Sequence, residues 1–282
     1  MLTQQLHFKR SSLWQIALSF ITIVGVFVVL FPIIWMVFTS IRPMTETLSS
    51  PPIWIPHEIT FAAYEKLLTD SKQVRYLINT YVIALSTAAI STLLGSLAAY
   101  GFSRFRIRGA RFILPALLSL QMLPNVTLII PFFNMAQSLG IYNTYLVLIV
   151  ADSAFALPIA IWLLKSYLDS IPIDLEEAAM VDGCTRLHAL WRIVLPLSLP
   201  GLVGTATFAF LWAWNEFMFA VVLTSGIDVA PLTIAISQFF TQFGRDWNSI
   251  MALNVLSTLP LLILFVLLQR WVVQGMTAGA VK

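Results

Sequence analysis

Long stretches without a charged residue are the feature of this sequence that most restricts its fold. Residues 11–41, 76–103 and 112–151 contain no Asp, Glu, Lys or Arg. A helix needs about 20 apolar residues to cross the bilayer core, so each stretch can hold at least one crossing. Only 10% of the 282 residues are charged, against about 25% in soluble domains. The sequence therefore predicts an all-α integral membrane protein and excludes a water-soluble domain.

We predict about six transmembrane helices in a single domain that covers residues 1–282. Pro131, Gly140 and Asn143 are expected to divide the longest uncharged stretch into two helices. A cleavable signal peptide is the alternative for the first span, but the apolar core of such a peptide is only about 7–15 residues long. The predicted spans are 14–38, 76–103, 112–132, 143–164, 199–224 and 249–270, with a loop at 167–197 and a tail at 271–282.

The placement of Lys and Arg predicts the orientation. With the N-terminus inside, eleven of these residues lie in cytoplasmic segments and five in external ones, as the positive-inside rule requires. The short segment 104–111 alone holds four of them. We therefore expect both termini in the cytoplasm of a bacterial or archaeal plasma membrane. The external segment 42–75 could be a lid, a docking edge or a connector. The net charge of +3 gives no reason to expect nucleic-acid binding.

The loop 167–197 has the pattern of two short helices joined at a glycine. Ser170 and Pro172 predict the start of the first helix and Gly183 its end. Thr185 can cap the second helix, which Pro196 is expected to end. A loop with its own apolar face has to bury that face against something. In the first helix Leu175, Ala178 and Ala179 are predicted to fall on one face, and in the second helix Leu187, Leu190, Trp191 and Val194 are predicted to line one side.

The same loop resembles the signature loop of binding-protein-dependent ABC importer permeases. The matching residues are Glu177-Ala178-Ala179, then Gly183 after three residues and Ile193-Val194-Leu195-Pro196 after nine more. In that family the first helix of the loop is a coupling helix that sits in a groove of the ATPase subunit. The small alanines would allow that surface to approach closely. The resemblance implies that the coupling residues are Glu177, Ala178, Ala179, Asp182, Gly183, Ile193, Leu195 and Pro196.

Two further stretches resemble the carbohydrate branch of this family, and its MalG-like second permease subunit in particular. They are Trp214-Asn215-Glu216-Phe217 and the C-terminal residues 269–282. The resemblance implies a tail that reaches the ATPase through Gln274, Gly275 and Gly279, whose glycines suit an extended backbone. It also implies four kinds of partner: a second homologous permease, two ATPase copies, an extracellular or periplasmic solute-binding protein, and the lipid bilayer around the permeases.

The sequence contains no Gly-x-x-x-x-Gly-Lys-Ser/Thr phosphate loop. ATP and Mg²⁺ are therefore expected on separate ATPase chains. We expect no cofactor, metal or catalytic residue in this chain, which would make it a transport subunit and not an enzyme.

Polar and aromatic side chains inside the predicted spans are candidates for the substrate pathway. Ionisable residues are costly in a membrane and tend to face a cavity or a partner. Asp152 and Glu216 are predicted at equal depth, about 12 Å from the outer ends of their helices. They could share a polar network, or each could simply join helices. The remaining candidates carry the hydrogen-bonding groups and aromatic faces that sugars need: Gln121, Asn125, Trp212, Trp214, Asn215 and Asn254.

The sequence does not name the cargo, and two other transport functions remain open. One is a permease for a glycerol-phosphate-type solute. The other is an ion-coupled secondary transporter, which would need a relay of charged residues and often shows internal repeats.

Overall fold

The computed structural model describes residues 12–239 and 246–277, which form helices and their connections. No strand occurs within these two ranges. The helices are α1 (Ser12–Ser40), α2 (Met44–Thr47), α3 (Ala62–Thr69), α4 (Ser71–Arg104), α5 (Ala110–Ser119), α6 (Asn125–Ser138), α7 (Tyr145–Leu168), α8 (Asp174–Val181), α9 (Arg186–Ala189), α10 (Leu195–Leu197), α11 (Leu199–Trp214), α12 (Met218–Leu223), α13 (Leu232–Phe239) and α14 (Trp247–Thr277).

Four of these helices, α1, α4, α7 and α14, are long and apolar enough to cross a membrane. Two bent helix pairs pass the same test of length and composition. One pair joins Ala110–Met122 to α6 at 96°, and the other joins Arg186–Leu197 to α11 at 78°. If each pair counts as one span, the described residues hold up to six crossings. The predicted fold class, an all-α membrane protein with about six spans, is confirmed.

The predicted third span, 112–132, is not one straight helix. A 3₁₀ turn follows α5, the backbone is then extended at Leu123 and Pro124, and α6 begins at Asn125. Proline lacks an N–H and disfavours a helical conformation in the residue before it, which explains the break. Pro131, which we expected to help end a helix, lies inside α6.

The predicted fifth span, 199–224, is also interrupted. It consists of α11, a break at residues 215–217, and the short helix α12. The carboxylate of Glu216 lies in this break and accepts hydrogen bonds from the backbone N–H groups of Phe219 and Ala220, at 2.8 and 3.0 Å. These N–H groups belong to the first turn of α12 and have no partner within the helix. Our estimate of the depth of Glu216 assumed a continuous helix. The structure instead places this residue in the break between two helices.

Close packing of α4, α7 and α11 forms the core of residues 67–239. A Cβ atom added to Gly95 of α4 would lie 3.1 Å from the Cβ of Ala160 in α7. A Cβ added to Gly201 of α11 would lie 2.7 Å from the ring of Tyr167 in α7. Small residues at these positions allow the helices to approach closely, as is common in membrane bundles.

Residues 12–66 pack with residues 246–255 as a separate compact unit. Asn248 donates hydrogen bonds to the carbonyl oxygens of Thr39 and Arg42, at 2.9 and 2.6 Å. Asp246 pairs with Lys66 at 2.9 Å. Burial raises the pKa of Asp246, but hydrogen bonds from Lys66 and Ser249 outweigh it and leave the pKa below its ordinary value.

Candidate coupling segment and transport cavity

The helix α8 begins later than predicted and ends where predicted. Ser170 does not cap it, because the Ser170 hydroxyl donates to the carbonyl oxygen of Tyr167 and the residue before the helix is Ile173. At the other end Gly183 has a φ of 92°. Its N–H bonds the carbonyl of Met180 at 3.1 Å, and the next N–H bonds that of Ala179 at 2.9 Å. These two bonds are a Schellman motif, which needs a left-handed residue at this position.

The second helix of the segment starts as predicted but does not end at Pro196. Thr185 caps α9 through the N–H of His188, at 3.3 Å. The chain then continues through a π-helical turn, Leu190–Val194, into α10, which contains Pro196. The 78° bend follows at Ser198. Proline is tolerated here because the first turn of a helix leaves its N–H groups unpaired in any case.

The predicted single apolar face of this second helix is divided in two. Leu190 and Val194 are buried with Ala99 of α4 and with Leu164 and Leu168 of α7. Leu187 and Trp191, one row away on the helix, are 66% and 52% exposed. One row therefore attaches the segment to its own chain, and the other row is free to contact another molecule.

The predicted face of Leu175, Ala178 and Ala179 on α8 is divided as well, because Leu175 and Ala178 are exposed whereas Ala179 is buried. Glu176 and Ala179, three residues apart on one face, are buried. The side chains of Glu177, Ala178 and Asp182 are exposed. Val181, an apolar side chain near the end of α8, is 88% exposed. Of the two signature alanines, one thus packs inward and one faces outward.

The buried face of α8 is attached to the end of α4 by a hydrogen-bonded ion pair that we did not predict. Arg104 Nε donates to Glu176 Oε1 at 2.5 Å, and Tyr100 Oη donates to Glu176 Oε2 at 2.9 Å. The side chains of Arg104 and Glu176 are 6% and 5% exposed. Helical spacing could have indicated that Glu176 shares the face of Ala179. It could not indicate that this face packs on the chain itself.

A cavity of about 440 Å³ lies beside the break between α11 and α12. Four residues from our list of pathway candidates line it: Asn125, Trp212, Asn215 and Glu216. The ring of Trp212 stacks on Phe155 of α7 with centroids 6.2 Å apart. Phe208, Leu211, Phe217 and Met218 complete the lining. The cavity thus combines an aromatic face with amide groups and a carboxylate.

The other four pathway candidates lie elsewhere. Gln121 donates to the carbonyl oxygen of Phe155 at 2.7 Å. Trp214 is buried between Tyr81 and Phe210. The Asn254 side chain donates to the carbonyl of Ile250, in the unit formed by residues 12–66 and 246–255. Asp152 is the fourth.

Asp152 is 2% exposed, and its Oδ1 has no hydrogen-bond partner among the described residues. The contacts of Gly201 with Tyr167 and of Trp212 with Phe155 show that α11 runs antiparallel to α7. In this register Glu216 is level with Asp152. Both carboxylate oxygens of Glu216 are bonded to the backbone of α12 instead. The packing therefore agrees with the predicted equal depth of the two carboxylates. The capping role of Glu216 favours the alternative in which this residue joins structural elements and does not share a polar network with Asp152.

Comparison with known proteins identifies the family. Residues 91–278 match the family described as "Binding-protein-dependent transport system inner membrane component". The chain belongs to this family. The predicted resemblance to ABC importer permeases of the MalG-like type is confirmed, and the chain is a multi-pass membrane subunit of a transport system.

Relatives of similar length are described as permeases. The "Trehalose/maltose transport system permease protein MalG" of Thermococcus litoralis is 37% identical over 277 residues, which cover 97% of this chain and 99% of the relative. The "Sulfoquinovosyl glycerol transport system permease protein SmoH" of Agrobacterium fabrum is 36% identical over 275 residues, 98% and 95% of the two chains.

A solved structure shows the same fold. It is the "Crystal structure of a bacterial ABC transporter involved in the import of the acidic polysaccharide alginate". One of its chains superposes with a TM-score of 0.79 at 24% identity, over 92% of this chain and 96% of that one.

The C-terminal residues differ from the expected extended tail as far as they are described. Gln274 and Gly275 lie in α14, which continues to Thr277. The preceding residues, Trp271–Val273, contain no helix breaker, so the backbone stays helical despite the cost of a glycine of about 1 kcal/mol. Gly279 lies outside the described residues.

Proposed function

We propose that this chain forms half of the translocation pathway of an ATP-driven importer for a di- or oligosaccharide. The observation that carries the proposal is the two-sided segment α8–α10. Its inner face is packed on α4 and α7, whereas the apolar side chains of Val181, Leu187 and Trp191 are exposed. An exposed apolar patch of this kind is typical of a docking surface. The outer face is proposed to sit on an ATPase subunit, which supplies the ATP and Mg²⁺ chemistry.

The cavity beside α12 supports a carbohydrate as the cargo. Sugars present hydroxyl groups that need hydrogen-bonding partners and C–H faces that pack on aromatic rings. Asn125 and Asn215 offer amides, and Trp212 offers a ring supported by Phe155. The names of the relatives support the same class of solute, since they include trehalose/maltose and sulfoquinovosyl glycerol. Diacetylchitobiose is named for a further relative, from Streptomyces coelicolor, 33% identical over 97% of this chain.

The proposed assembly contains a second, related permease, two ATPase copies and an external binding protein that delivers the solute. A related solved structure is titled as an alginate ABC transporter "in complex with alginate pentasaccharide-bound periplasmic protein". Both termini are proposed to be cytoplasmic, because this places the four arginines of 104–111 and the segment α8–α10 on the side where ATP is available. Closure of the ATPase dimer would then shift the permeases between inward-facing and outward-facing states.

The test begins with purification of the complex through an affinity tag on this chain and identification of the chains that copurify. Trehalose, maltose and diacetylchitobiose are then tested for uptake into proteoliposomes that contain the complex and its binding protein. We expect uptake of a sugar that requires Mg·ATP and is insensitive to ionophores. Uptake that follows an imposed ion gradient without ATP would favour the secondary transporter. Uptake of a glycerol phosphate but of none of the sugars would favour the other alternative.

A further inference from the structure

Glu176, and not the neighbouring signature residue Glu177, makes a buried hydrogen-bonded connection between the coupling segment and the transmembrane bundle. Both oxygens of Glu176 accept hydrogen bonds, one from Arg104 and one from Tyr100. Charge-assisted bonds of this kind have well-defined geometry, and burial shields them from competition with water. The carboxylate is thus fixed in one position relative to α4.

The guanidinium of Arg104 makes two further bonds that extend this connection. Its Nη2 donates to the carbonyl oxygen of Ile171, in the turn before α8, at 3.0 Å. Its Nη1 donates to the hydroxyl of Ser103 at 3.0 Å. Arg104 therefore joins the last turn of α4 both to α8 and to the turn that leads into it. A displacement of α8 alone would break several bonds at once.

A second connection nearby is exposed and provides a useful contrast. Ser103 donates to Asp169 Oδ1 at 2.6 Å, and Lys165 donates to Asp169 Oδ2 at 2.5 Å. The side chain of Asp169 is 45% exposed. Water and salt weaken such a pair, and exposed pairs contribute little on average. This second connection lies close to the buried one but is expected to transmit little force.

We propose that Glu176 is the positioning residue through which movement of α8 is transmitted to α4, by way of Arg104 and Tyr100. The inference rests on the proposed function, because it assigns the outer face of α8 to the ATPase. The inner face would then pass the displacement to α4, which packs on α7 at Gly95 and Ala160. Glu177, on the outer face, would contact the partner and have no part in this step.

The test uses the assembled complex in proteoliposomes, with the sugar that the unchanged complex takes up. Removing one partner of a buried ion pair leaves an uncompensated charge, whereas replacing both partners by apolar residues is commonly tolerated. The main variant is therefore Arg104→Met with Glu176→Leu, and Tyr100→Phe is the smaller change. Three quantities are measured: the ATPase bound per permease, the rate of ATP hydrolysis, and the sugar taken up per ATP hydrolysed.

We expect both variants to retain bound ATPase and ATP hydrolysis. Uptake per ATP should fall roughly tenfold in the double variant, the order expected for the loss of a charge-assisted hydrogen bond. Tyr100→Phe should cause a smaller decrease in the same ratio. Asp169→Asn is the matched control at the exposed connection and should leave the ratio unchanged.

Two results would overturn the inference. The first is an unchanged ratio of sugar to ATP in the double variant. The second is a parallel fall of bound ATPase, hydrolysis and uptake, which is the result of a role in folding alone. If the unchanged complex shows no ATP-dependent uptake, the proposed function itself fails, so the two failures are distinguishable.

Discussion

Two buried carboxylates, Glu176 of α8 and Asp152 of α7, have opposite surroundings. Glu176, at the coupling end, has both oxygens bonded and an arginine beside it. Asp152, at the level of the cavity, has an Oδ1 without a partner within the described part of the chain. A buried polar atom without a hydrogen bond costs free energy. The comparison indicates that the hydrogen bonds at Glu176 stabilise a single conformation of the coupling end. The carboxylate of Asp152, in contrast, would gain a hydrogen bond if its surroundings rearranged.

Loss of the Glu176 carboxylate should have the largest effect on stability. Glu176→Gln leaves the charge of Arg104 buried without its counter-charge, which typically costs about 3–5 kcal/mol. Glu177→Gln, at the exposed neighbouring position, is the control and should change stability by less than about 0.5 kcal/mol. Apparent melting temperatures of the two purified variants in detergent measure the difference. Equal melting temperatures would remove the basis for treating the Glu176 site as rigid.

The two signature alanines should respond differently to the same enlargement. Ala179→Phe forces a ring into the packed inner face of α8 and should cost about 1–3 kcal/mol of stability. Ala178→Phe adds the ring to the exposed face, so its melting temperature should stay near that of the unchanged protein while the amount of bound ATPase falls. Equal losses of stability in the two variants would contradict the assignment of inner and outer faces.

The substitutions tolerated at Gly183 should be limited by its backbone conformation and not by the space available for a side chain. A Cβ added there would meet no atom within 4 Å, but φ is 92°. Gly183→Val should therefore cost about 1–2 kcal/mol, since β-branched residues strongly disfavour a left-handed conformation. Gly183→Asn, which tolerates that conformation far better, should retain most of the stability and of the coupling between ATP hydrolysis and uptake. Similar losses in both variants would show that the side chain itself is excluded, for example by a partner.

The sequence predicted well those features that depend on neighbours in the chain. Uncharged stretches located the long helices, Gly183 marked the end of α8, and Thr185 marked the cap of the next helix. Features that depend on distant residues were not predictable in this way. Glu176 and Arg104 lie 72 positions apart, and nothing local shows which face of α8 turns towards α4. The break in the fifth span was missed because residues 215–217 include neither Pro nor Gly.

Replacement of Trp212 tests the cavity side of the comparison. Trp212→Ala removes the aromatic face that the proposed site offers to the sugar, and an aromatic contact of this kind is worth about 0.5–1.5 kcal/mol beyond the buried area. We expect the sugar concentration for half-maximal uptake to rise by roughly threefold to tenfold, with ATP hydrolysis retained. Trp212→Phe keeps an aromatic ring and should have a smaller effect. An unchanged concentration dependence in Trp212→Ala would place the sugar elsewhere.

Asp152→Asn should have the smallest effect on stability and sharpens the contrast with Glu176→Gln. Both substitutions replace a buried carboxylate by an amide of nearly the same shape, so differences in packing are small. Asp152 forms no ion pair among the described residues, and its Oδ1 accepts no hydrogen bond, so the substitution leaves no cation without its partner. An ionisable carboxyl group is costly in the membrane interior, and an amide in its place avoids that cost. The apparent melting temperature should therefore equal or exceed that of the unchanged protein. A decrease comparable to that of Glu176→Gln would mean that Asp152 is held as firmly as Glu176. The coupling end and the level of the cavity would then no longer differ in rigidity.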